Sequence, residues 1–94
     1  MTKNAFDFDT AREHFTTLAQ PHALEVLFCL KDQPRTVQQL EADLALSGTQ
    51  LNQVLTTLRR ARLISLQKQA QSLLYHIPQP NIAHLIQQIY QSYP

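Results

Sequence analysis

The chain has 94 residues, is 44% hydrophobic and carries a net charge of +1, which suits one small domain that buries a core yet is marginal as an isolated monomer, so self-association is expected. No apolar run is long enough to span a bilayer, and the N-terminus lacks a basic segment followed by an apolar stretch and a cleavage site; no membrane association and a cytoplasmic location are expected. The lone Cys29 excludes an internal disulfide and any multi-cysteine metal site within one chain.

Residues 1–8 are expected to form a loosely held N-terminal arm in which Phe6 and Phe8 are the groups able to pack. Thr10-Ala11-Arg12-Glu13 has capping-box spacing, and Ala11, Phe15, Leu18 and Ala19 follow at helical intervals, which predicts a first helix. Gln20-Pro21 breaks it, and Pro21 suits the first position of a second helix running to about Lys31. The nearly continuous apolar run from Ala23 to Leu30 predicts a central, mostly covered element, in which Cys29 serves as a small buried hydrophobe. Asp32-Gln33-Pro34 ends that helix. Thr36 and Gln39 form another capping box and open a short third helix through Leu40 and Leu44.

After the brief connection Ala45-Leu46, Ser47 and Gln50 repeat the capping-box spacing, and Leu51, Val54, Leu55 and Leu58 fall on one side of a helix. The other side carries Thr49, Gln53, Thr56 and Arg60, flanked by Gln50, Asn52, Thr57 and Arg59. Amides and hydroxyls near the N-terminus suit hydrogen bonding to base edges, and guanidinium groups near the C-terminus suit phosphates. The plainer alternative is a solvated polar face of an ordinary amphipathic helix. Two helices joined by so short a turn, the second with exposed polar side chains, form a helix-turn-helix pattern.

Beyond Arg62 the period changes to two. Ile64 and Leu66, then Leu73, Tyr75 and Ile77, predict two short antiparallel strands. Lys68-Gln69-Ala70-Gln71 is read as the connecting loop, and its lack of Gly and Asn favours a longer type I connection over a two-residue primed turn. Pro78 and Pro80 close the hairpin. Asn81 is expected to cap a last helix whose stripe is Ile82, Leu85, Ile86, Ile89 and Tyr90, apolar enough either to finish the core or to pair with a copy of itself.

The small net charge hides a division. Residues 1–43 hold four basic and all seven acidic side chains, leaving −3, whereas residues 44–94 hold Arg59, Arg60, Arg62 and Lys68 and no acid, leaving +4. A purely basic half that coincides with the polar helix and hairpin points to a polyanion partner.

The run Thr36-Val-Gln-Gln-Leu, then Leu46-Ser-Gly-Thr-Gln-Leu-Asn-Gln-Val-Leu-Thr-Thr-Leu-Arg-Arg-Ala-Arg-Leu-Ile, then Tyr75-His-Ile resembles the ArsR/SmtB family of bacterial repressors. That family's pattern is approximately V-x-x-L, L-S-Q-S-x-V-S-x-H-L-x-x-L-R-x-x-G-L-V and a closing Y-x-L strand. The likeness spans roughly residues 14–90 and is nearest the HlyU- and BigR-like branch, including Gln69-Ala70-Gln71 in the wing. It implies a mainly α winged helix-turn-helix over residues 1–94 in a single domain, ordered α-α-α-α-β-β-α. It also implies a homodimer joined through the first and last helices and a sequence-specific repressor of transcription that binds double-stranded DNA. By position, Gly48, Thr49, Gln50, Asn52 and Gln53 match the base-reading segment; Thr56, Arg59, Arg60, Arg62 and Lys68 complete the expected interface.

Departures from the pattern are specific. Asn52 replaces the usual Ser, Val54 the usual His and Arg62 the usual Gly, while Ala23 stands where Arg is common. The cysteines of the family's C-V-C metal motif map to Thr36 and Gln38, and the terminal helix offers only His84 toward a zinc site. In the redox-sensing branch the paired cysteines map to Phe28 and Gln91, with Cys29 one position, about 100° of helix, beyond the first. Neither metal nor cofactor is expected. Catalysis is not expected either, since no nucleophile has a base at a recognisable spacing and the only glycine, Gly48, precludes a Gly-rich phosphate loop. The alternative to DNA reading is a winged-helix adaptor for protein contacts that has lost the groove-reading face.

Overall fold

The structure is a computed structural model that describes residues 6–94, so Met1 to Ala5 of the expected arm lie outside the described residues. Five helices and a hairpin follow in the expected order: α1 Phe8–Leu18, α2 Ala23–Leu30, α3 Val37–Leu44, α4 Gly48–Arg60, β1 Ser65–Gln69, β2 Ser72–His76 and α5 Pro80–Ser92. This is the winged helix-turn-helix fold.

Local signals place most helix starts, and three starts differ from expectation for identifiable reasons. The first helix begins at Phe8 because Asp7 caps it: its carboxylate accepts from the Thr10 amide at 3.0 Å and from the Thr10 hydroxyl. Those bonds, the hydroxyl's first, hold the Asp7 carboxyl below the usual carboxylate range. Thr10 is therefore a donor to the cap and not the cap itself, and the arm is shorter than predicted. Phe6 and Phe8 pack edge to face on each other, 4.5 Å between ring centroids, with both rings exposed.

The second helix does not start at Pro21. Its N-cap is His22 in the left-handed region, φ 68°, so Pro21 belongs to the preceding turn. The last helix does start on a proline: Pro80 is the first helical residue after Gln79, and Asn81 lies inside the first turn without capping it. The capping boxes at Thr36/Gln39 and Ser47/Gln50 form as expected, each with both reciprocal hydrogen bonds at 2.9–3.1 Å.

The core is one cluster. Ala23, Val26, Leu27 and Leu30 of α2, Leu40 of α3, Leu51, Val54, Leu55 and Leu58 of α4, and Ile82 and Ile86 of α5 converge there with Leu63 and Ile64. A buried Leu of this kind contributes about 1.5–3 kcal/mol relative to exposure. The covered face of α2 is thus as predicted, but Leu24 and Phe28 on its other side remain exposed, so the helix is not buried all round. Cys29 is only partly buried against the cluster.

The wing is tighter than expected. Gln69 pairs with Ser72 and Lys68 with Leu73, which leaves only Ala70 and Gln71 as the loop. Ala70 takes φ 57°, the positive value that primed two-residue turns require at their first position, although it has a Cβ. The wing also gains a third partner. Arg35, between α2 and α3, pairs with Tyr75 through two backbone hydrogen bonds of 3.0 and 2.8 Å. That bridge ties the hairpin to the start of the helix-turn-helix.

Candidate nucleic-acid interface

The α4 helix is amphipathic along its whole length. Its four apolar side chains are fully engaged in the core, whereas Thr49, Gln50, Asn52, Gln53, Thr56, Arg59 and Arg60 are exposed. Since the apolar stripe fixes the roll of the helix, the polar face must point outward. Thr49, Asn52, Gln53, Thr56 and Arg60 line one shallow groove together with Thr57. Thr57 is half-buried and its hydroxyl donates to the Gln53 carbonyl at 3.0 Å, so it is occupied within the helix.

The remaining expected residues are placed differently. The Gln50 side-chain oxygen accepts from the Ser47 amide at 3.1 Å, which orients this side chain toward the helix N-terminus and leaves its NH2 group as the available donor. Gln50 lines a second hollow, with Gln53, Val54 and Thr57 on one side and Gln20, Pro21 and His22 of the α1–α2 turn on the other. Gly48 is exposed and is the first residue of α4, where the absent side chain leaves the backbone open to close approach.

Arg62 lies beyond the helix end. The Arg62 amide donates to the Arg59 carbonyl and the Leu63 amide to the Leu58 carbonyl, each at 3.0 Å, with Arg62 at φ 62°. This is a Schellman termination, in which a left-handed residue satisfies the last carbonyls and Gly is the favoured occupant. Here a cation holds the position. Arg59 and Arg60 occupy the last turn, where the helix dipole favours positive charge, and no acid lies in the first turn. Lys68 is exposed on β1, part of the strand and not of a loop.

The α1–α2 turn, expected at Gln20-Pro21, also borders the α4 surface, which the sequence did not indicate. Nothing in Gln20-Pro21-His22 announces that it flanks α4, because the left-handed His22 falls on a residue type with no strong turn signature; its Nδ1 stands 3.8 Å from Glu25 Oε2. The Arg35 bridge was equally silent.

Of the two positions tied by resemblance to redox sensing, Phe28 and Gln91, the first makes a contact with the residue before the second. Phe28 of α2 stacks on Tyr90 of α5, 4.3 Å between centroids and tilted 35°, with the Lys31 ammonium 4.9 Å from the Phe28 centroid. An aromatic ring therefore stands at the first of those positions, packed on Tyr90, while Gln91 at the second is exposed. Burial pushes the Cys29 thiol up, Asp43 adds to the effect and Arg35 opposes it. Among the described residues, no group of three or more His, Cys, Asp or Glu side chains could hold a metal ion, and no helix is long and apolar enough to cross a membrane.

No protein-family model matches the chain. The HTH-type transcriptional regulator Rv0081 of Mycobacterium tuberculosis is 35% identical over 75 residues, which cover 79% of this chain; the match spans 66% of that relative's length. The crystal structure of Rv0081 superposes with a TM-score of 0.74 at 30% identity, over 90% of this chain and 86% of that one. HlyU from Vibrio cholerae gives a TM-score of 0.82 at 29% identity, covering 99% and 98% of the two chains. The homodimeric winged helix-turn-helix DNA-binding domain of Mb0332 from Mycobacterium bovis, a possible ArsR-family regulator, shares the fold at 19% identity, with a TM-score of 0.78 over 89% of this chain and 78% of that one. The chain belongs to the HTH-type transcriptional regulators, and its fold is shared with HlyU and with the winged helix-turn-helix domain of Mb0332.

Proposed function

We propose that residues 1–94 act as one winged-helix unit, a sequence-specific DNA-binding repressor that works as a homodimer. The observation that carries this is the α4 surface: an exposed row of hydroxyl, amide and guanidinium groups, held outward by a fully buried stripe, on the acid-free half of the chain. In the major groove, Thr49, Asn52, Gln53 and Thr56 supply donors and acceptors for base edges, and Gln50 adds its NH2 group. Gly48 lets the backbone approach closely. Arg59, Arg60, Arg62 and Lys68 attract phosphates and fix the register.

Dimerisation is supported by the exposed apolar side chains gathered on the first, second and last helices. Phe8 and Phe15 on α1, Leu24 and Phe28 on α2, and Tyr90 on α5 all remain accessible. A monomer this small gains by covering such a surface. Twofold symmetry then requires half-sites about 34 Å apart along the duplex, one helical turn.

A mobility-shift assay on genomic fragments across a salt titration tests the proposal. Binding should weaken with salt at a log-log slope near −0.9 per phosphate neutralised, and Arg60→Ala combined with Gln53→Ala should abolish retention. Failure of the unaltered protein to bind any fragment at low salt, or an unaffected double variant, overturns it.

A further inference from the structure

All carboxylates precede residue 44, yet one of them reaches the proposed DNA interface. Of the two acids on α3, Asp43 stands 3.8 Å from the Arg35 guanidinium, whereas Glu41 has no ion-pair partner among the described residues. Glu41 lies in the second half of α3, and its half-buried side chain turns toward the start of α4. A Cβ built on Gly48 would stand 3.7 Å from Glu41 Oε2. A carboxylate with no cation paired to it among the described residues therefore sits beside the first residue of the reading helix, the end from which a helix-turn-helix addresses base edges.

Two consequences follow from the charge. Near a duplex, an anion at this place is repelled by phosphates whatever the base sequence. In the major groove, a carboxylate can only accept, and the amino group of cytosine is the donor that suits it. We propose that Glu41 is a specificity-determining residue: it weakens binding to every duplex, and only a half-site that presents a cytosine amino group to it offsets the loss. Discrimination then comes from a repulsive element as much as from attraction. This rests on the DNA reading proposed above. A purely structural alternative exists, because a carboxylate near a helix N-terminus is also favoured by the helix dipole.

The experiment is selection from a randomised duplex library with the unaltered protein and with Glu41→Gln, followed by fluorescence anisotropy on the selected site and on a scrambled duplex. Glu41→Gln keeps the shape and removes the charge. The scrambled duplex should bind roughly tenfold tighter, counting two copies in a dimer. The selected motif should lose its cytosine preference at one position in each half-site and keep the others. An unchanged motif overturns the inference, whether affinity stays constant or rises equally for both duplexes, and so does a drop in melting temperature as the sole effect. Should the unaltered protein enrich no motif at all, the DNA reading itself falls, and this inference with it.

Discussion

Replacing Arg62 with Gly should make the protein more stable and a weaker DNA binder at once. Arg62 holds φ 62° at the residue after the α4 C-cap. The left-handed region costs a residue with a Cβ roughly 1–2 kcal/mol. Gly escapes that cost but loses about 0.5–1 kcal/mol more conformational freedom on folding. The difference favours Gly by about 0.5–1 kcal/mol. For a chain of this size that corresponds to a rise of roughly 4 °C in Tm at fixed protein concentration. The same change removes one cation per protomer, so the log-log salt slope of a dimer should become shallower by about 1.8, at 0.9 per phosphate contact. Arg62→Lys should keep most of the slope and gain no stability, because the strained backbone still carries a Cβ. Calorimetric melting and salt-titrated anisotropy measure the two effects separately. An unchanged or lower Tm for Arg62→Gly would refute the helix-end reading, and an unchanged slope would remove Arg62 from the interface.

Leu58→Ala should be far more damaging, because Leu58 is fully buried and sits at the Schellman position whose apolar partner is the buried Leu63. A loss of about 3 kcal/mol is expected, read as a lower urea midpoint at constant m; a loss well below 1 kcal/mol would mean that this stripe does not anchor α4. The Cys29 thiol, raised chiefly by burial and then by Asp43, should react with iodoacetamide more slowly in the folded protein than in urea at neutral pH, with the rate climbing into the alkaline range. The sign for stability follows from the same shift: the contribution is complete below the unfolded thiol's pKa and is lost as pH rises through the higher folded value. Equal alkylation rates in the two states would contradict the burial of this side chain.

The helix-turn-helix was legible because its information is local and redundant. Thr36 with Gln39 and Ser47 with Gln50 mark two helix starts by reciprocal hydrogen bonds that depend only on residues three apart. Leu51, Val54, Leu55 and Leu58 then fix which side faces the core, and the exposed face follows by geometry. The Arg35 bridge to Tyr75 joins residues forty positions apart and leaves no pattern that periodicity can detect. The start of α1 was misplaced for a narrower reason. Asp7 and Thr10 both belong to the capping vocabulary, and the choice between them turns on which one donates, a matter decided by backbone direction.

The other misplacements share a physical origin in how this chain makes its turns. Glycine is the ordinary sign of a left-handed residue, yet Gly48 is the only one here and sits inside a helix without positive φ. The four positive-φ positions among the described residues are His22, Ala45, Arg62 and Ala70, each with a side chain. Sequence patterns therefore misplaced the start of α2 and hid the tight wing. At roughly 1 kcal/mol or more apiece, these four conformations cost a sizeable part of the 5–15 kcal/mol that a domain typically retains. Their distribution is not scattered. His22 flanks the α4 hollow, Ala45 forms the turn of the helix-turn-helix, Arg62 ends α4 and Ala70 tips the wing. Three of them lie at or beside the ends of α4 or the hollow along it, where backbone strain is compatible with a functional constraint on that helix. At Arg62 the retained group is also the one whose charge the proposed interface uses.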